Sequence, residues 1–453
     1  MQPMVWITIL SFLVTLGLIL WRPRGINEAI PATIGAIIVI LSGSVSLTDL
    51  GIIAETISGA AITIMATIVM AIVLESFGFF NWVAEKLAEK ANGSGIRLFW
   101  YVNLLCFLMT LFFNNDGSIL ITTPILVMLL NNMGLKNHQK IPYLLSGALI
   151  ATASSAPIGV SNIVNLIALK IVHMSLYLHT AMMFVPATLG LLLLTWLLFL
   201  RFRKVLPKTV PTKITGRSLP SYHPLKPSPL KHGTEKERSR FMRNVLLFVF
   251  SVRVSLFVAS FLSIPVSLMA VIGSLVLLGW RWAYLKISPT DMLKKTPWYI
   301  IVFAFSMYVI IYGLNNIGLT DWLIQFMRPM VSGSLLNASV MMGALLSVLS
   351  NIFNNHPALM VGTLTLMNMK LSLLELKIAY LANVIGSDMG SLLLPMGTLA
   401  TLMWMHIVRK GKVMISWWQY IKITIVVIPP ATLFTLVVLY YWVYWLFGGV
   451  LQR

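Results

Sequence analysis

Two carboxylates lie deep within apolar stretches of this sequence, and both are candidates for moving protons across a membrane. Asp116 follows two asparagines, and Asp388 is flanked by glycines in a long apolar segment. A carboxylate at the centre of a spanning helix costs about 2.5–3.5 kcal/mol by insertion scales, so it is by default a functional-site hypothesis. Burial disfavours the charged form of a carboxylate, which would let Asp388 exchange a proton. The sequence therefore predicts proton coupling at Asp116 and Asp388.

An Asn-Asn pair occurs twice, 240 residues apart, and each copy interrupts an apolar stretch. Asparagine amides both donate and accept hydrogen bonds, so they can replace the hydration of a small polar solute. Hydroxyls and glycines in two other apolar segments extend this set. The predicted substrate-binding residues are Asn114, Asn115, Ser161, Asn162, Asn354, Asn355, Gly386, Ser387 and Thr398.

Several of these residues also have a structural interpretation. Asp116 could begin a helix and cap its free amides. Arg253 lies inside an apolar segment and needs a charge partner. Asp388 or Asp116 could be that partner, and the paired carboxylate would then stay ionised. The sequence alone leaves these alternatives open.

The composition indicates a protein that crosses a membrane many times. The chain has 453 residues, of which 58% are hydrophobic and 10% are charged. Soluble domains carry about 25% charged residues, and a spanning helix needs roughly 20 apolar residues. Spans are predicted at 3–21, 28–45, 57–79, 140–172, 180–200, 244–262, 264–282, 297–315, 377–408 and 415–448.

Two further apolar stretches, 98–132 and 336–372, are each broken in the middle by an Asn-Asn pair. Each half-stretch has about 16 residues, which is short for a full crossing. Non-helical backbone survives at membrane depth only where protein shields it or where it lines a watery cavity. We therefore predict two re-entrant hairpins with asparagines at their tips. Alternatively, each stretch could form two full transmembrane helices. The segments that follow would then keep the same orientation, so the charge distribution does not distinguish the two arrangements.

Two of the predicted spans contain a proline two residues before a glycine. These are Pro157-Ile158-Gly159 and Pro395-Met396-Gly397. Such a sequence unwinds a helix locally, so that freed carbonyls and helix ends face a cavity. The alternative is that the small residues around Pro157 form a helix-packing face.

The repeated motifs predict two related halves. With basic loops on the cytoplasmic side, residues 1–200 and 244–453 form two membrane repeats of opposite orientation. Each repeat has five transmembrane helices and one hairpin. We therefore predict an all-α polytopic protein of the cell membrane, built as an inverted repeat. In that architecture the binding site lies near the middle of the bilayer.

Residues 201–243 separate the two repeats. They contain twelve Lys and Arg residues and two acidic residues, Glu235 and Glu237. The resulting net charge of +10 is half of the net charge of +20 that the whole chain carries. We predict a proline-rich cytoplasmic linker near anionic membrane lipid, with docking of a soluble partner as the alternative. No nucleic-acid-binding motif accompanies the charge, and no Walker A pattern indicates an ATPase.

Three runs of sequence carry a resemblance to a known family. They are Asn114-Asn115-Asp116-Gly117 with Thr123-Pro124, Val160-Ser161-Asn162-Ile163-Val164-Asn165, and Tyr380 to Gly390 continuing through Pro395 to Leu402. These runs resemble the arsenite/antimonite efflux permeases, the ArsB family of the ion-transporter superfamily. The likeness covers nearly the whole chain outside residues 201–243.

The resemblance implies a proton-coupled exporter of As(III) and Sb(III). Its substrate would bind between hairpin tips and broken helices, at positions 114–116, 161–165, 354–356 and 386–398. The resemblance also suggests a soluble arsenite-stimulated ATPase as a partner. We further predict that the protein can form a homodimer. Undissociated arsenous acid is a small neutral polyol, so amides and hydroxyls suffice to bind it without thiols.

The chain departs from the family pattern at three places. Many members carry Asp where this chain has Thr152, Cys where it has Ser387, and Pro-Lys where it has Ser391-Leu392. The loss of an acid and a base could shift coupling or substrate, so a sodium/proton or organic-anion transporter stays an alternative. A membrane subunit that docks an ATPase is a second alternative.

We predict neither an enzyme nor a protein with a cofactor. The sequence contains no recognisable nucleophile–base pair and no metal-ligand cluster. Its single cysteine, Cys106, excludes an intramolecular disulfide and a multi-cysteine metal site.

Overall fold

The computed structural model describes residues 3–21, 26–211, 235–286 and 288–451. Ten helical segments within these ranges are long and apolar enough to cross a bilayer. They include Gly95–Phe112 and Leu335–Phe353, one limb of each predicted hairpin, so re-entry of these stretches remains a prediction, while Ala29–Leu41 in the predicted span 28–45 is shorter. The ten segments confirm the prediction of an all-α polytopic membrane protein. Residues 212–234, the central part of the predicted linker, lie outside the described residues.

The first half of the chain runs from α1 to α9. Its helices are α1 (Pro3–Trp21), α2 (Ala29–Leu41), α3 (Leu47–Ser76), α4 (Phe79–Ala91), α5 (Gly95–Phe112), α6 (Asn115–Asn132), α7 (Asn137–Ala153), α8 (Ile163–Ile171) and α9 (Leu176–Phe202). A 3-10 turn, Ala156–Ile158, lies between α7 and α8.

The second half runs from α10 to α19. Its helices are α10 (Glu235–Phe261), α11 (Val266–Leu285), α12 (Thr290–Lys295), α13 (Tyr299–Asn316), α14 (Leu319–Val331), α15 (Leu335–Phe353), α16 (Asn355–Asn368), α17 (Leu373–Asp388), α18 (Leu399–Lys410) and α19 (Trp417–Leu451). Two 3-10 turns, Gly390–Leu393 and Pro395–Gly397, separate α17 from α18.

Apart from the short helix α12, the same succession of elements occurs in both halves. Each contains two helices, a span with a short helix after it, a helical hairpin, a broken helix and a long final helix. Gly78 and Gly318 begin the short helices α4 and α14 with positive φ angles of 75° and 90°, a backbone that glycine adopts readily. The hairpins are α5–α6 and α15–α16, and the broken helices are α7–α8 and α17–α18.

Helices of the first half pack on helices of the second half, and these contacts occur in equivalent pairs. Helix α2 packs on α13, and its counterpart α11 packs on α3. The hairpin limb α6 contacts α18, while α16 contacts α8, and the final helices α9 and α19 pack on each other. Such equivalent contacts are expected of two repeats related by a pseudo-two-fold axis. The opposite orientation of the halves in the membrane remains a prediction.

Three helical stretches lie where the sequence predicts loop or linker. Helix α4 occupies most of the segment between the predicted span 57–79 and the predicted hairpin 98–132, and α14 is its counterpart in the second half. Helix α4 is amphipathic, since Ala84 and Ala88 are buried while Lys90 is exposed. Helix α10 begins at Glu235, so the end of the predicted linker is already helical.

Candidate functional site

The two asparagine pairs lie at the turns between the limbs of their hairpins. Asn114 caps α6, because its side-chain oxygen accepts a hydrogen bond from Gly117 N at 2.5 Å. Asn354 caps α16 through His356 N at 3.4 Å. Each first asparagine therefore satisfies a free amide of its helix. Both polar atoms of the Asn355 side chain are buried without a hydrogen-bond partner among the described residues.

Both predicted helix breaks are present. The first lies between Ala153 and Ile163, and it includes Gly159 with a φ angle of 59°. The second lies between Asp388 and Leu399. Every residue from 154 to 162 is buried, and most residues of the second break are buried as well.

The long final helices satisfy carbonyls that the breaks set free. The Nε2–H of His179 on α9 donates to Ala156 O at 3.0 Å. Tyr420 and Thr424 on α19 donate to two successive carbonyls of the second break, at 2.9 and 2.7 Å. A buried carbonyl without a partner costs as much as a lost hydrogen bond. These contacts therefore allow non-helical backbone to persist inside the protein.

Asp388 joins the two breaks. It is fully buried, and its carboxylate accepts hydrogen bonds from Ser155 Oγ at 2.7 Å, from Asn165 Nδ2 at 2.7 Å and from Asn162 Nδ2 at 3.3 Å. All three donors belong to the first half of the chain. The carboxylate is therefore held by neutral donors, and no ion pair to it is found within the described ranges.

The hairpin tips dock on the same breaks. Asn115 N donates to Ser161 O at 3.0 Å. Asn354 Nδ2 donates to a carbonyl of the second break at 3.2 Å, and Ser387 Oγ donates to Asn355 O at 3.4 Å. We call the two tips and two breaks, residues 114–116, 154–162, 354–356 and 387–398, the central junction. It brings together most of the predicted binding residues.

Two further predicted binding residues, Thr398 and Gly386, make capping or packing contacts. Thr398 caps α18, since its hydroxyl accepts from Thr401 N at 3.0 Å. Gly386 allows α17 to approach α15, because a Cβ at this position would lie 2.5 Å from Gly343 O. These contacts explain both residue types without a substrate.

Asp116 lies beside the first tip, in the first turn of α6. The sequence left open that Asp116 caps this helix, but the capping residue is Asn114. Its carboxylate accepts no hydrogen bond from the part of the chain that the structure describes, and it lines a cavity of about 160 Å³. The cavity is largely apolar, and its lining also includes Lys295 and Tyr299. Asp116 is thus placed to meet a solute or a proton.

Arg253 pairs with neither carboxylate. Its guanidinium is 3% exposed and donates to the main-chain carbonyls of Phe112 and Phe113, where α5 ends. The carboxyl end of a helix carries partial negative charge, so the cation stabilises the first hairpin tip. The ion pair with Asp116 or Asp388, which the sequence left open, is not formed in the described structure.

Ser155 and Asn383 were not among the predicted site residues, and Asn165 was included only in the range 161–165 that the resemblance implied. Ser155 and Asn165 donate hydrogen bonds to Asp388. Each is a polar residue in an apolar span, and the same feature singled out Asn162 in the sequence. Both polar atoms of Asn383 and the hydroxyl of Ser161 are buried without a partner among the described residues. Buried polar groups are normally hydrogen-bonded, so a water or a polar solute at these atoms would satisfy them.

Comparisons with known proteins identify the family. A sequence profile of the family described as arsenical pump membrane protein (ArsB) matches residues 7–443. The chain belongs to this family. The resemblance found from its motifs is thereby confirmed.

Other arsenical pump family proteins align with nearly the whole chain. The putative arsenical pump membrane protein of Bacillus subtilis is 62% identical over 442 residues, covering 97% of this chain and 100% of that protein. An arsenical pump membrane protein of Escherichia coli is 31% identical, covering 94% and 96%. Members are integral membrane proteins, and the apolar helices make this chain a multi-pass protein of the cell membrane.

A solved structure shares the fold. The YdaH transporter of Alcanivorax borkumensis superposes with a TM-score of 0.55 over 90% of each chain, at 13% sequence identity. At that identity the likeness concerns architecture alone. This arsenical pump family member therefore has the fold of a membrane transporter.

Proposed function

We propose that this protein exports arsenite or antimonite from the cytoplasm in exchange for protons. The observation that carries the proposal is Asp388, a buried carboxylate held across the two halves by neutral donors. The names of the curated relatives, arsenical pumps, supply the solute. The substrate would bind at the central junction.

The chemistry of the junction suits a small neutral polyol. Undissociated arsenous acid carries hydroxyls that both donate and accept hydrogen bonds. The unpartnered atoms of Asn355, Asn383 and Ser161 offer amide donors, amide acceptors and a hydroxyl. An unmade hydrogen bond to a buried group costs about 1–3 kcal/mol, so a solute that satisfies these atoms gains affinity.

Competition for Asp388 would couple the substrate to protons. An ionised carboxylate offers about four lone-pair sites, and three are occupied by Ser155, Asn162 and Asn165. The Ser387 hydroxyl also interacts with the carboxylate, so a substrate hydroxyl or a proton would displace one of these donors. Mutually exclusive occupation of one site is what exchange requires.

Asp116 would serve the cytoplasmic side of this path. Its cavity includes Lys295, which the charge rule assigns to the cytoplasm. A solute that entered there would meet the Asp116 carboxylate before it reached the junction. We therefore assign Asp116 a role in proton or solute entry.

Proteoliposomes that contain a trapped pH dye test the proposal. Arsenite should move protons in vesicles with the wild-type protein, and Asn355→Ala should reduce this flux at least about tenfold because it removes two unpartnered polar atoms. Asn337→Ala is the matched control, since Asn337 is an exposed residue of the second hairpin. A response to sodium but not to arsenite would favour a sodium/proton exchanger and contradict the proposal.

Two further partners remain predictions. A soluble arsenite-stimulated ATPase would dock on the linker, of which residues 212–234 lie outside the described residues. A homodimer would use apolar surface that faces lipid in the single chain.

A further inference from the structure

A basic cleft lies between the start of α10 and the short helix α4, and none of its lining residues belongs to the central junction. Its volume is about 600 Å³. Four cationic side chains line it, Lys86, Lys236, Arg240 and Arg243, together with one carboxylate, Glu235. The lining therefore carries a net charge of +3.

Most of this charge is uncompensated. Lys86 binds Glu235, with 3.1 Å between Nζ and Oε1. No ion pair among the described residues involves Lys236, Arg240 or Arg243, and all three are exposed. Like charges that converge without counter-charges repel one another, so an anion in the cleft would stabilise it.

The cleft lies where α10 changes from charged to apolar. Beyond Arg243 the helix exposes large apolar side chains, with Leu247 56% and Phe250 51% exposed. Trp82 borders the cleft, and its indole Nε1 donates to Ser239 Oγ at 3.3 Å. Tryptophan is enriched at the membrane–water interface, so the cations lie at the level of lipid headgroups.

We propose that this cleft binds the phosphate headgroup of an anionic phospholipid, whose acyl chains lie along the exposed apolar face of α10. A phosphate offers several acceptor oxygens, and the planar fork of an arginine pairs with two of them. Basic pockets on the cytoplasmic side of helical membrane proteins bind such headgroups. A free phosphate would match the cations but would leave Leu247 and Phe250 without a contribution.

The position of the cleft gives the lipid a structural consequence. Helix α4 packs on α5 and α6, which form the first hairpin. Helix α10 carries Arg253, which holds the tip of the same hairpin. A lipid between α4 and α10 therefore braces the first hairpin from outside. This inference is independent of the solute that is transported.

Native mass spectrometry of the delipidated full-length protein tests the site. Dioleoylphosphatidylglycerol and dioleoylphosphatidylcholine, which share acyl chains, are titrated in parallel, and the anionic lipid should bind about tenfold more tightly. Arg240→Gln with Arg243→Gln should lose about tenfold in affinity for the anionic lipid. Arg409→Gln with Lys410→Gln, an equal loss of charge at exposed positions outside the cleft, should change it less than about twofold.

Three outcomes would overturn the proposal. Equal losses in the two double variants would assign the lipid affinity to surface charge in general. Full displacement of the lipid by millimolar inorganic phosphate would assign the cleft to a soluble anion. Retention of the lipid by the Arg240→Gln, Arg243→Gln variant would place it elsewhere.

A folding failure of that variant leaves other measurements. Lys236→Gln removes one exposed cation and should weaken binding about threefold to tenfold. Arg240→Lys with Arg243→Lys keeps the charge and should retain most of the affinity. Wild-type affinity in Lys236→Gln together with a loss in the lysine double variant would contradict a charge-based headgroup site.

Discussion

Replacing Asp388 with asparagine perturbs the junction at its most constrained point. One carboxylate oxygen becomes an amide nitrogen, which cannot accept a hydrogen bond. If the remaining oxygen faces Ser155 and Asn165, both 2.7 Å bonds survive, and the new amide nitrogen faces Asn162 Nδ2. Asn162 cannot turn its amide without losing its own cap on Val164 N, at 3.1 Å. One buried donor is therefore left without an acceptor.

The geometry separates two effects of this substitution. One unsatisfied buried donor costs about 1–3 kcal/mol, which is roughly 5- to 150-fold in an equilibrium constant at 1.36 kcal/mol per tenfold. That cost weakens the fold or the binding but leaves some activity. The loss of the titratable group, in contrast, removes proton binding at this position completely. If Asp388 carries the proton, arsenite-dependent proton flux disappears in Asp388→Asn.

The assay measures both fluxes in the same vesicles. A trapped dye reports protons, and elemental analysis of the vesicles reports arsenic. Ser155→Ala is the matched control, since it removes one donor to the same carboxylate and no titratable group. It should slow transport and keep the wild-type ratio of protons to arsenite. Coupled exchange at the wild-type ratio in Asp388→Asn would refute the role of this carboxylate.

Three further variants separate structure from transport. Asp116→Asn should reduce arsenite flux at least about tenfold and leave thermal unfolding unchanged, because its carboxylate faces a cavity; a parallel fall in both would indicate a structural role. Arg253→Gln should lower stability by about 1.5–3 kcal/mol, measured by thermal unfolding, with partial recovery in Arg253→Lys; wild-type unfolding would contradict its hold on the hairpin tip. Gly390→Ala should cost about 1–3 kcal/mol because its Cβ would overlap Ser347, whereas Gly279→Ala, in open space, should be neutral.

Much of the site could be predicted because polar residues are rare and informative in an apolar chain. The asparagine pairs and the Pro-x-Gly sequences interrupt long apolar runs, and non-helical backbone at those depths must be buried. The structure places hairpin tips and helix breaks at these positions. Gly78 and Gly318, which begin matching helices, are separated by the same 240 residues as the asparagine pairs.

The partners of the buried charges could not be read from the sequence. Charge favours an ion pair between Arg253 and a carboxylate, but the pattern does not give the depth of a residue or the direction of its side chain. Arg253 contacts the carboxyl end of α5, where backbone carbonyls carry a partial negative charge. No residue type in the sequence marks this charge. Asp388 meets three neutral side chains from the other half.

The short helices α4 and α14 were missed for a different reason. Membrane spans are recognised by length and hydropathy, and each of these helices has only 13 residues with charges along one face. By the criteria used for spans, such a segment is indistinguishable from a loop. Only its amphipathic period, with Ala84 and Ala88 on one side, could have revealed α4.

The origin of all three Asp388 donors in the first half has a consequence for biosynthesis. The ribosome completes Ser155, Asn162 and Asn165 more than 200 residues before it reaches Asp388. Until then, these three donors in the first half lack their acceptor. When α17 later enters the bilayer, it carries a carboxylate whose donors lie in the other half. The newly made halves are therefore incomplete until they meet, and the last step of assembly closes the same contact that the proposed exchange mechanism uses.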